Sequence, residues 1–131
     1  MFRGKRQIPV IKTIETAVFI DKHLVERFFG QLDKLKDFVI TIISKVQLIY
    51  NYSSMKTRIK IVLVKYEIVD KDAPDTANGN VEEYLNNFCL WQRKHKFKNW
   101  INKWDHAILL TGYDITVCPI ELTMFMLTLL G

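Results

Sequence analysis

Three carboxylates stand where converging oxygen ligands could bind a cation. Glu15 sits inside a strand-like run at residues 13–21, while Asp105 and Asp114 bracket a continuous apolar run from Ala107 to Leu110. If the two runs are neighbouring strands, Glu15 and Asp105 meet at one end of a sheet, and several oxygens gathered in this way suit calcium. A carboxylate pointing inward from a strand needs such a partner, because an unpaired buried charge is too costly. The histidines offer less. His23, His95 and His106 form no HExxH pair, and no two are four apart on a helix. A catalytic zinc site built from this chain alone is therefore not expected. No glycine-rich dinucleotide or phosphate loop and no GxSxG elbow occurs. Cys89, beside Phe88 and Trp91, reads as a buried thiol or half of a disulfide, with no neighbour to activate it as a nucleophile.

The elements that position these groups are legible from periodicity. Residues 106–111, HAILLT, read as a strand covered on both faces, since neither face is polar. Residues 57–69, TRIKIVLVKYEIV, form the strongest strand signal, rich in β-branched side chains. Residues 33–52 are the clearest helix, with Leu35, Phe38, Val39, Ile42, Ile43, Val46, Ile49 and Tyr50 on one wide face. A helical turn at 23–29 ends at Gly30. Residues 70–78 read as a loop around Pro74, and Asn80 with Glu83 three positions on forms a capping box that opens a second helix. Val81, Tyr84, Leu85, Phe88, Trp91 and His95 make its inner face. Arg93, Lys94, Lys96 and Lys98 follow as a basic run, a solvated helix end whose cations suit the dipole, with a polyanion contact as the alternative. The order strand, helix, strand, helix, strand predicts an α/β domain with a mostly parallel sheet.

The chain has 131 residues, about one domain, 49% hydrophobic and 12% aromatic, which is enough apolar material for a core and excludes a disordered tail. The net charge of +5 permits weak attraction to nucleic acid, sulfated glycan or anionic lipid without requiring any of them. No signal peptide is visible after Met1, and no apolar run reaches the roughly 20 residues of a membrane span. Two cysteines, Cys89 and Cys118, are too few to define a disulfide framework. Arg3, Lys5 and Arg6 form an Arg-x-Lys-Arg cluster of the kind furin-like proteases cut, and Asn51 opens an N-glycosylation sequon at a helix end.

With these residues in place, the chain resembles the metalloprotease domain of the ADAMTS/reprolysin zinc proteases. The resemblance rests on ETAVFIDKHLVERF, the helix ending VQLIYNY, the strand RIKIVLVKYEIV, and above all NFCLWQRKH followed by WDHAILLTGYD. It spans roughly residues 13–114. It implies the upper subdomain of a metzincin, a twisted mostly parallel sheet with packed helices, in a secreted enzyme that acts on matrix or other extracellular proteins. It implies that Glu15 and Asp105 bind a structural calcium and that Asp114 ligates a second one. It further implies that Cys89 pairs with a later cysteine, and that the furin-like site separates a prodomain end, residues 1–6, from a partial protease domain, residues 7–115. Nucleic acid is not an implied partner. Weak glycan binding through Arg93, Lys94, Lys96 and Lys98 remains a secondary expectation.

The departure from the family pattern begins near Ile115. The HExxHxxGxxH segment that would hold zinc, activate its water and supply the glutamate base is absent from the sequence. No peptidase activity is therefore expected of this polypeptide alone, and the alternative reading is a catalytically dead module that binds a partner or competes with a full enzyme. Residues 116–131 form a divergent apolar tail. One choice of codons for residues 118–131, read in another frame, yields a D-T-x-G segment such as the family carries, so out-of-frame translation is permitted. A sheet cut short here is expected to leave an unprotected edge.

Overall fold

In the computed structural model, residues 10–52, 56–98, 103–117, 120–122 and 125–130 are described. The layering follows from alternation along the first strand, β1 (Ile11–Asp21). Ala17 and Phe19 project to one face, and Val18 and Ile20 to the other. A strand buried on both faces must be covered twice, which is what two helical crossovers achieve. The short helix α1 (Lys22–Arg27) and the long helix α2 (Leu32–Tyr50) cover one side before the chain enters β2 (Arg58–Val69). Leu24, Leu35 and Val39 pack there against Val18, Ile20, Ile108 and Leu110. The helix α3 (Val81–Lys98) covers the other side and leads to β3 (His106–Thr111). On that side Tyr84, Phe88 and Trp104 pack against Ala17, Phe19, Ala107 and Leu109. Phe19 is the centre of this aromatic layer, meeting Phe88, Trp91, His95 and Trp104 edge to face.

The sheet order is β2-β1-β3-β6, with β1 parallel to both β2 and β3. The expected α/β class with a mostly parallel sheet is thus observed, and β3 spans the residues expected of it. Asn80 caps α3 as the capping box predicts, its side chain accepting the Glu83 N–H at 3.1 Å.

The structure adds one feature to the expected order and corrects one expectation. The apolar tail contributes structure: β4 (Ile115–Val117) and β5 (Ile120–Leu122) form a small antiparallel pair, and β6 (Phe125–Leu130) lies antiparallel along all of β3. With β6 beside β3, the edges of the four-stranded sheet are β2 and β6. The inner face of α2 also ends early. Ile49, expected inside, is 60% exposed beside Leu48 at 66%. The inward position in these last turns belongs to Gln47, whose side-chain amide donates to the Ile59 carbonyl at 2.8 Å and accepts the Ile61 N–H at 2.7 Å. A polar side chain wins there because it satisfies strand backbone that has no neighbouring strand.

Candidate functional site

The two ends of the parallel sheet hold the functional candidates. At the amino end of β3, Glu15 and Asp105 do meet. The Asp105 N–H donates to the Glu15 carbonyl at 2.8 Å, and Asp105 Oδ2 accepts the Glu15 N–H at 3.0 Å. This reciprocal pair continues the β1–β3 ladder one step beyond Thr16 and His106. It brings two acidic residues together at the surface, and neither forms an ion pair among the described residues. His106 is adjacent, and burial lowers its pKa below the ordinary 6.5.

Asp114 lies at the other end of β3 and joins neither of them. Arg27, at the last turn of α1, donates through Nη2 to Asp114 Oδ1 at 2.8 Å and through Nε to the Gly112 carbonyl. One guanidinium thus engages both a carboxylate and a backbone carbonyl. His23 packs on Tyr113 with ring centroids 4.7 Å apart. Together these groups line an open cleft of about 590 Å³. The approach of α1 requires Gly112, because a Cβ there would lie 2.6 Å from the backbone of His23 and Leu24. A second cleft of about 300 Å³ opens beside Asp21, Asp70, Asp75 and Tyr84.

Between the clefts is the residue that the sequence reading passed over. Asp21 ends β1, is only 3% exposed, and accepts four hydrogen bonds. Oδ1 takes the N–H groups of Leu24 at 2.9 Å and Gly112 at 3.1 Å. Oδ2 takes the Tyr84 hydroxyl at 2.9 Å and the Thr111 hydroxyl. It caps α1 while joining β1, β3 and α3. Burial first, and then the Asp21 charge, push the Tyr84 phenol far above its ordinary 10.0. The available signal was an Asp directly after an apolar strand and before a helix, the place where an N-cap belongs. The carboxyl ends of β1 and β3 also form the crevice where the connections diverge, the usual ligand position in open α/β sheets.

The remaining candidates are dispersed. Cys89 is half-buried on α3, and Cys118 lies outside the described residues. Asn51 is exposed at the C-cap of α2, a position open to a glycan, while Ser53 of its sequon lies outside the described residues. Arg93 and Lys94 are exposed and Lys96 is half-buried, and α3 runs through them to Lys98. Arg3, Lys5 and Arg6 lie outside the described residues. The three histidines are also dispersed. His23 sits at the carboxyl end of the sheet, His106 at the amino end and His95 on α3, and no three metal-ligating side chains converge among the described residues. No helix among the described residues is long and apolar enough to cross a membrane.

Residues 11–119 match Reprolysin_5, of metallo-peptidase family M12. The chain is similar to a disintegrin and metalloproteinase with thrombospondin motifs 15 of Homo sapiens, 32% identical over 122 residues, which is 86% of this chain and 12% of that protein. It is also similar to motifs 6 of Homo sapiens, at 28% over 123 residues, 86% of this chain and 11% of the other. A Caenorhabditis elegans relative, adt-1, is 30% identical over 116 residues, 79% of this chain and 8% of its own length. The chain thus spans about an eighth or less of the relatives it matches.

Proposed function

The chain belongs to metallo-peptidase family M12, and we propose that it is the sheet-bearing part of the catalytic domain of a secreted ADAMTS-type zinc metalloendopeptidase acting on extracellular or matrix proteins. The observation that carries this reading is the match over residues 11–119, and the hydrogen-bonded neighbourhood of Glu15 and Asp105 supports it. In this reading Glu15 and Asp105 hold a structural calcium remote from the chemistry. Cys89 awaits a disulfide partner, Arg3 to Arg6 is a processing site, and Asn51 carries a glycan. Arg93, Lys94, Lys96 and Lys98 supply at most weak glycan contact, seen as salt-sensitive retention on heparin.

The zinc chemistry belongs to residues this sequence lacks, so the 131-residue chain cleaves no peptide by itself. The absence of HExxH in the sequence favours a second reading, a non-catalytic module that binds a partner or competes with a complete enzyme. Sequencing the transcript from codon 112 onward separates the two. A read that passes through D-T-x-G into HExxHxxGxxH establishes the protease, and one that stops after Gly131 establishes the module. Zinc-dependent hydrolysis of a fluorogenic peptide by the purified chain would overturn the assignment of zinc chemistry to absent residues.

A further inference from the structure

The open edge of β2 is closed along half its length and free along the other half. Arg58 donates its N–H to the carbonyl of Val10, just ahead of β1, at 3.2 Å, so residues 58, 60 and 62 turn their backbone inward and Ile59 and Ile61 turn theirs outward. Gln47 satisfies that outward backbone at the Ile59 carbonyl and the Ile61 N–H. The ladder register then shifts between Thr16 and Ala17, inserting Val64 as an extra residue. Beyond the bulge Lys65, Glu67 and Val69 face Ala17, Phe19 and Asp21, which reverses the parity. Tyr66 and Ile68 now present N–H and C=O groups to the outside. No described strand or side chain pairs with them.

We propose that this segment, Lys65–Val69, docks a second copy of the chain by antiparallel pairing about a two-fold axis at Tyr66. A two-fold edge contact faces residue i with residue j and j with i. With Tyr66 opposite its own copy, both outward backbones meet, and Lys65 falls opposite the partner's Glu67 at both symmetric positions. Centring the axis on Glu67 would instead set carboxylate against carboxylate, and centring it on Lys65 would set ammonium against ammonium. Lys65 and Glu67 already lie on one face, 3.3 Å apart within the chain. Glu67 also lies 3.4 Å from His95 Nε2, and the side chains of Lys65 and Glu67 are 16% and 34% exposed. Val64, 38% exposed, then meets the partner's Ile68. Edge strands are ordinarily blunted by bulges, inward charges or covering groups. Here Gln47 and the bulge protect the upstream half, and the downstream half has a self-complementary charge pattern in place of a cover.

The test is sedimentation velocity of the full chain over a concentration series, comparing wild type, K65E, E67K and an equimolar mixture of the two variants. The proposal expects a reversible wild-type dimer. Each single reversal sets like charges opposite and weakens self-association by at least about tenfold. The mixture re-forms a dimer, because one chain then offers two carboxylates and the other two ammonium groups. Effects confined to one chain cannot produce that rescue. If the reversals do not fold, K65Q and E67Q remove the charges at similar size and are each expected to weaken the dimer. A wild-type chain that stays monomeric, a dimer indifferent to all four changes, or folded variants that fail to associate on mixing would each overturn the proposal. Loss of the wild-type dimer on adding an extended unrelated peptide, without mixing rescue, would also overturn it, pointing to a different occupant.

Discussion

At the carboxyl end of the sheet, Asp21 and Asp114 are already engaged, one by four neutral donors and the other by Arg27. At the amino end, Glu15 and Asp105 are tied together through backbone with no cation beside them among the described residues. The chemistry is the same, two acidic residues on neighbouring segments, but the consequences differ. The carboxyl end is a self-satisfied structural joint. The amino end is an exposed acidic pair joined through backbone, the place where calcium is proposed to bind. A carboxylate that has traded water for protein donors gains little from calcium, whereas an exposed carboxylate keeps oxygen lone pairs free to offer it.

The largest expected effect tests the joint. D21A removes one acceptor from two hydroxyls and two N–H groups, and since each orphaned buried donor costs about 1–3 kcal/mol, the loss is at least about 3 kcal/mol in urea unfolding. An equal loss from D105A in calcium-free buffer would erase the distinction between the ends. The joint also sets an alkaline limit. The folded Tyr84 phenol titrates above the unfolded value of 10.0, so the unfolded chain releases its proton first. Stability is intact below pH 10 and falls as pH rises beyond it, and Y84F should flatten that limb of the unfolding curve.

Calcium sharpens the contrast. Free calcium at 100 times its Kd should raise unfolding free energy by about 2.7 kcal/mol through mass action. D105N and E15Q should abolish the gain, and D114N should leave it nearly whole. If D114N abolishes it instead, Arg27 yields to calcium and the carboxyl end is the metal site. A smaller effect belongs to Arg27, whose ion pair with a 74% exposed Asp114 contributes about 0.2–1 kcal/mol. R27Q should cost about that much without calcium, and calorimetry should then detect an added, weaker calcium event that D114N removes. The smallest is on the acid side. Burial depresses His106, so the unfolded chain protonates first below pH 6.5. Stability should dip as pH falls through that range, and H106Q should reduce the dip.

How much of this was readable without coordinates differs by element. The strand at 106–111 was legible to the residue because a run apolar on both faces has one comfortable position, the sheet interior. The capping of α3 was legible because Asn80 and Glu83 act locally. The meeting of Glu15 and Asp105 was legible once the strands were taken as neighbours. Asp21 was not singled out, since an Asp between strand and helix reads as a local cap, and three of its four partners lie 63 to 91 positions away. The exposure of Ile49 was illegible for a similar reason. Periodicity counts apolar residues on a helix face, but Gln47 takes the inward position only because β2 has no neighbour there.

The sequence by itself determined the order of the first three strands and their helices, the two-sided burial of β3, and the family, because each depends on residue type and short-range period. Tertiary structure alone decided which acids stand together, which already hold a cation, and which strand is left as an edge. Those outcomes depend on how distant segments are brought into register, and the Coulomb and hydrogen-bond energies that follow fall steeply with separations that sequence spacing does not specify.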